Sequence, residues 1–453
     1  MLVTKIVILF LLLVLLTPAY PQSTGVLGGF GGGGSAYDGP AILGRGGPAS
    51  GMRGTEAVPI HVQASINGTY DSNILGFSVD ANGNFNQASS PGLTAFIGVS
   101  GRKAWRRSFL GLDYSGDYNH FVRQSFFNGT NHQLNLAVGR QFGQRLQLVS
   151  QVGAGTSNRF IGGQSVFQAS EIEFLAAPTA ELFDSRSYFI GNSTSATYFL
   201  SRRQSIRVSG NAFSIRRRAR SLVDMQSYGA SADFVRRVNR ATSVGVSYSF
   251  SHFDFTKVFG ESDINTIGTH VSRRIGRDLQ LAVSLTGTQQ STVGVRSIAL
   301  DPVLAALLGR GAGAEVFESN NLLYGYSVGA VRRLRRSNAS ITAERGIIPG
   351  NGFFLTSINR SVSAVLSHNL SREMSFGGIF GYNRLSSLGF ASGDFKGWTG
   401  GANFTYKLTE SLGVNAQYDW RTFDLQQTTF GRTGYRATLG LTYFPQRGPA
   451  GLF

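Results

Sequence analysis

Cysteine is absent from the 453 residues, which excludes disulfides, thiolate metal sites and cysteine nucleophiles. Proline is scarce. Beyond residue 57 it occurs only at positions 59, 91, 178, 302, 349, 445 and 449, so long stretches of chain keep every backbone donor. No long apolar run follows the N-terminus, and the mean hydropathy is −0.03, which excludes a bundle of membrane-crossing helices. Acids are few against bases: 25 Asp and Glu against 42 Lys and Arg, a formal net charge of +17. Such a balance invites a nucleic-acid partner. The arginines instead come in short clusters, such as Arg106/Arg107, Arg202/Arg203, Arg273/Arg274/Arg277 and Arg332/Arg333/Arg335/Arg336. They form no basic helix and no nucleic-acid motif, so no nucleic acid is expected. The six histidines (His61, His120, His132, His252, His270 and His368) show no ligand spacing, and the acids form no paired motif. No catalytic residue, metal or cofactor is therefore expected, and no enzymatic activity.

What the chain has is alternation. Leu412, Val414, Ala416, Tyr418 and Trp420 take one parity, and Asn415, Gln417, Asp419 and Arg421 the other. Tyr435, Ala437, Leu439, Leu441 and Tyr443 repeat it against Arg436, Thr438, Gly440 and Thr442. A period of two is a strand with two different faces. Similar apolar stripes run through Leu110–Leu112–Tyr114, Leu134–Leu136–Val138, Val244–Val246–Tyr248–Phe250 and Leu279–Leu281–Val283–Leu285. Each run is about ten residues, enough for a tilted strand to cross a bilayer. In lipid every backbone group must be paired, and a closed barrel is the one sheet that achieves this.

Four segments follow. Residues 1–23 read as a secretory signal peptide, with Lys5 before an apolar core from Ile6 to Leu16. Residues 24–57 form a glycine-rich periplasmic segment with little to bury. Residues 58–445 carry the alternation, and 446–453 form a short C-terminal tail. Within 58–445 short connections, marked by arginine, lysine or small polar residues, fall at 104–107, 143–145, 202–204, 238–240, 276–278, 335–337, 371–373 and 409–411. Longer ones fall near 73–91, 120–130, 156–186, 217–225, 254–264, 291–322, 347–357, 386–397 and 425–432. Counting strands between them predicts an all-β, antiparallel up-and-down transmembrane barrel of about 18 strands, with 16 possible. Its short turns would be periplasmic and its long loops extracellular. The longest loops carry further features. Residues 301–309, with Asp301 as N-cap, Pro302 and Gly309, spell a short apolar helix.

This organisation resembles Gram-negative outer-membrane porin-like barrels. The signal peptide, the strand–turn–strand–loop rhythm over residues 60–444 and the last strand ending Leu441-Thr442-Tyr443-Phe444 carry the resemblance. It implies residence in the outer membrane after export through the inner one. The partners it implies are outer-membrane lipids, the barrel assembly machinery that reads the terminal aromatic, and small hydrophilic solutes; monomer and trimer both stay open. The polar parity would line the pore, with Asp113, Arg207, Asp233, Glu344, Lys407, Asp419 and Arg436 as its charged candidates. The third long loop holds Glu171, Glu173, Glu181 and Asp184, which would form a constriction if the loop folds inward, and an external acidic surface if it does not. The expected function is passive diffusion of small hydrophilic solutes. An accessory barrel for polysaccharide export or assembly, and a closed structural or surface-binding barrel, are the alternatives.

Overall fold

In the computed structural model, residues 58–443 are described, except 80–84, 124, 126, 127, 158–185, 219–222, 258, 300–311, 350–355, 389–393 and 426–430. Eighteen strands follow one another: β1 (Val58–Val79), β2 (Phe85–Ala104), β3 (Ser108–Phe121), β4 (Gly129–Phe142), β5 (Leu146–Ser157), β6 (Ser187–Ser201), β7 (Gln204–Arg217), β8 (Met225–Arg237) and β9 (Thr242–Phe255). Then come β10 (Gly260–Ile275), β11 (Leu279–Ala299), β12 (Ala312–Arg333), β13 (Ser337–Pro349), β14 (Thr356–Asn369), β15 (Met374–Ser387), β16 (Asp394–Lys407), β17 (Leu412–Leu425) and β18 (Gly431–Tyr443). Each pairs antiparallel with its sequence neighbours, and β1 pairs with β18 from Ala64↔Tyr443 to Asp71↔Arg436. The sheet is closed and has no free edge, which is what a spanning sheet requires. The expected count of 18 is the observed one.

All eight short connections fall where arginine and small polar clusters place them, and the chemistry of each turn is visible. Gly143 and Gly276 hold φ of 60° and 63°, a left-handed backbone that a side chain would strain. Asn239 Oδ1 accepts from the amides of Ala241 and Thr242, Ser371 Oγ from Glu373 and Met374, and Thr409 Oγ1 from Ser411 and Leu412. These side chains supply acceptors to amides that the ladder leaves unpaired. The start of β1 and the end of β18 share this turn rim.

The opposite rim, which carries the other nine connections, departs from expectation. Residues 73–91 and 291–322 are not loops throughout. β1 and β2 stay paired, through bulges, to Val79↔Phe85, and β11 and β12 without a break to Ala299↔Ala312. The expected helix at 301–309 lies outside the described residues.

The apolar parity faces outward. Ile66, Leu112, Leu136, Val208, Val246, Ile267, Leu285, Val328 and Leu439 are all exposed. So are tyrosines toward the loop rim: Tyr70, Tyr118, Tyr188, Tyr228, Tyr248, Tyr418 and Tyr435. Trp105, Phe142, Tyr198 and Tyr443 stand toward the turn rim. A continuous apolar belt this large is untenable in water. Between two aromatic girdles it is the surface that a bilayer covers. The fold and the faces therefore define a transmembrane β-barrel.

Candidate functional site

The inward parity is polar, and much of it is wet. Gln151, Asn211, Ser363, Ser367 and Asn403 point inward and are exposed. Inward-facing Val365 and Ile379 are also open, at 45% and 48%. Register places Asp113, Arg207, Asp233, Glu344, Lys407, Asp419 and Arg436 on this inner face. It does not gather them at one level. Lys407 stands at the turn rim, while Asp113, Glu344 and Asp419 lie within separate stretches of wall. Glu171, Glu173, Glu181 and Asp184 fall outside the described residues.

Three inner arrangements give the lumen its character. The first runs along the closure of the sheet. Asp71 of β1, wholly buried, accepts from Arg436 Nη2 of β18 at 2.7 Å and from Arg421 Nη2 of β17 at 3.1 Å. One carboxylate thus clasps two guanidinium groups from the other end of the chain. Below it Asn415 Nδ2 donates to Asn67 Oδ1 at 3.0 Å, and Thr442 Oγ1 donates to Asn415 Oδ1 at 3.0 Å. Asn67 folds over Gly440, where a Cβ would overlap it and the Ile66 carbonyl. Toward β3 and β4, Thr94 Oγ1 donates to Asn119 Oδ1 at 2.7 Å, and Asn131 Nδ2 to Asp117 Oδ2 at 2.8 Å.

The second arrangement sits on β7, β8 and β10. Arg207 and Asp233 are register partners, and His270 Nδ1 lies 3.7 Å from Asp233 Oδ1. The His270 ring occupies the space beside Gly245 of β9 that a side chain there would fill.

The third is a narrowing at the loop rim. Ile215, Met225, Phe253, Phe255, Ile264 and Phe317 form a buried cluster, and every one of them has inward parity. Phe317 reaches it past register partners Gly294 and Gly260. Ile347 of β13 packs against this cluster although its own parity is outward. Thr356 of β14, also outward in parity and wholly buried, meets inward Thr292 of β11 at 3.4 Å. Pairing of β12 with β13 stops at Tyr326↔Arg345, whereas β13 and β14 stay paired to Pro349↔Thr356. An outer face against an inner face has one geometric solution: the tip of the β13–β14 hairpin stands on the lumenal side of the β11–β12 arm. Beneath it, Ser262, Gln290, Thr292, Ser319 and Asn321 form a hydrogen-bonded polar group.

Sequence reasoning did not single out Asp71, His270, Gln290 or the hairpin tip. Asp71 occupies the inward parity of β1, so alternation identifies its face but not its partners. The signal for the tip is Ile347-Ile348 ahead of Pro349, adjacent apolar residues that no single lipid-facing parity explains.

No protein-family model and no curated protein matches the sequence. Solved structures do match across most of the chain. Against Pseudomonas aeruginosa OccK2 (OpdF) the identity is 9%, the match covers 86% of this chain and 99% of the other, and the TM-score is 0.43. Acinetobacter baumannii OccAB3 gives 8%, 85%, 99% and 0.42, and P. aeruginosa OpdL 12%, 85%, 98% and 0.39. These are distant likenesses of barrel form.

Proposed function

We propose that this chain is a Gram-negative outer-membrane channel that lets small hydrophilic solutes diffuse passively. The observation that supports this reading is the inner wall. It is polar, carries both charge signs and is open to water along β14–β16, inside a ring whose outer wall is apolar. A stack of inward apolar residues would fill a structural barrel. Here inward apolar side chains gather in one cluster at the loop rim, and elsewhere amides, hydroxyls and charges predominate on the wall, groups that replace hydration for a passing solute. The hairpin tip at the loop rim narrows the entrance on the β7–β14 side. If the third loop folds inward, its acids Glu171, Glu173, Glu181 and Asp184 would set ion preference together with Arg207 and Arg436 of the wall; if it stays outside, they would form an external acidic surface.

Single-channel recording in planar bilayers tests this. Folded protein should give discrete conductance steps. If the third loop folds inward, neutralising Glu171, Glu173 and Glu181 together should move the reversal potential toward anion preference; if it stays outside, the same substitutions should barely alter it at high salt. A correctly folded barrel that conducts nothing would overturn the channel reading.

A further inference from the structure

The formal charge is not spread over the barrel. The eight turns and the strand ends that enter them, residues 102–107, 140–145, 202–203, 236–240, 273–278, 332–336, 372–373 and 407–410, hold twenty of the 42 Lys and Arg. They hold three of the 25 Asp and Glu: Asp278, Glu373 and Glu410. The remaining 22 bases and 22 acids cancel, so the whole +17 resides on one rim. Most of these cations are exposed.

Parity shows where some of them point. Arg140 continues the outward row Leu134, Leu136, Val138, and Arg236 the row of Tyr228 and Phe234. Arg273 continues Ile267 and Val271, and Lys103 is the register partner of outward Leu110. These four stand on the lipid-facing side, one step past the apolar belt. They also stand among the aromatics of the turn-rim girdle. The Arg140 guanidinium lies 5.1 Å from the Phe142 ring, and Lys103 Nζ lies 5.6 Å from that of Trp105. An aromatic ring at the interface with a cation beside it matches a phospholipid, whose glycerol region meets the ring and whose phosphate meets the cation. A soluble polymer would not need outward-pointing cations at belt level.

We propose that the turn rim is a binding surface for anionic phospholipid headgroups and gathers an annulus of phosphatidylglycerol-type lipid from the leaflet it faces. The surface potential of such lipid attracts each nearby Lys or Arg enough for roughly five-fold local enrichment per cation. This inference does not depend on whether the barrel conducts.

The three tryptophans make the test internal. Trp398→Phe/Trp420→Phe leaves Trp105 at the turn rim, and Trp105→Phe/Trp398→Phe leaves Trp420 toward the loop rim. Each protein is folded into phosphatidylcholine vesicles carrying equal mole fractions of either dibrominated phosphatidylglycerol or dibrominated phosphatidylcholine. Folding is checked by heat-modifiable electrophoretic mobility. At low salt Trp105 should be quenched several-fold more by the anionic lipid. The preference should vanish at 1 M salt, where charges are screened within about 3 Å. It should shrink in Lys103→Gln/Arg140→Gln, and Trp420 should show no preference. Equal quenching of Trp105 by the two lipids would overturn the proposal, as would an equal preference at Trp420. So would loss of lipid preference together with retention of soluble polyphosphate, which would assign the rim to an aqueous polyanion. The salt titration needs no substitution at the rim, so it decides the matter even if the Gln variant fails to fold.

Discussion

Replacing Asp71 by Asn would test the clasp that joins the ends of the chain. Asn fills the same space, so no cavity forms and no backbone moves. What changes is charge. Arg436 and Arg421, whose side chains are 5% and 11% exposed, would keep their positive charges without the carboxylate they share. Removing one partner of a buried ion pair costs about 3–5 kcal/mol, because an uncompensated charge remains. Two guanidinium groups share this one carboxylate, which favours the upper end. Asp419, the register partner of Arg436 on β17, offsets part of it. The expected loss is therefore about 3–4 kcal/mol. With a urea slope of roughly 1–3 kcal/mol/M, the unfolding midpoint should fall by more than about 1 M. Barrels folded into vesicles and followed by tryptophan fluorescence would report it. Arg421→Met in the Asp71→Asn background should recover part of the loss, since one of the two buried cations that shared the carboxylate is gone. A loss under about 1 kcal/mol, typical of exposed pairs, would refute the reasoning: it would mean that water screens the closure and that the clasp is peripheral to stability.

Other consequences follow from the same geometry. With no native cysteine, Leu281→Cys and Val414→Cys should resist a membrane-impermeant thiol reagent, while Gln280→Cys and Asn415→Cys should react through the lumen; equal labelling of both parities would rule out the assigned faces. Gly440→Ala should destabilise by about 1–3 kcal/mol through overlap with Asn67, whereas Gly287→Ala, whose new Cβ meets only Ile267 at 3.9 Å, should stay within about 0.5 kcal/mol, both read from urea midpoints. An epitope at Ser337 in the β12–β13 turn should be hidden on intact cells, and one inserted after Gly389 should bind antibody; the reverse would invert the assigned topology. Cross-linking Thr292→Cys to Thr356→Cys should fix the β13–β14 tip inside the β11–β12 arm, and quantitative disulfide formation without loss of the folded band is the expected readout.

The parts of this structure that were legible in the sequence share one physical cause. Where lipid lies on one side of a strand and water on the other, the two parities must differ, and period two is written into the chain. That is why Leu412–Trp420 and Tyr435–Tyr443 could be assigned to faces, and why all eight turns, which interrupt the pattern with arginine, glycine and small polar residues, fell into place. The same cause explains the misreadings. Past the loop-side girdle both faces meet polar surroundings, so alternation fades although the ladder continues. Ser291, Thr292, Asn320 and Asn321 are polar on both parities, yet β11 and β12 pair there residue for residue. Strand length beyond the bilayer is set by backbone pairing, which leaves no hydropathy trace. Contacts across the closure are less legible still. Asp71 finds Arg421 and Arg436 some 350 residues away, and the register that brings them level depends on the stagger of the whole ring. The inward tip of β13–β14 adds a third case, since Ile347 sits on the parity that lipid would claim but packs on Phe317's cluster inside. Local pattern reports the solvent on each face; which side chains meet across the lumen follows from how the ring closes, and the residues that set solute passage belong to that second kind.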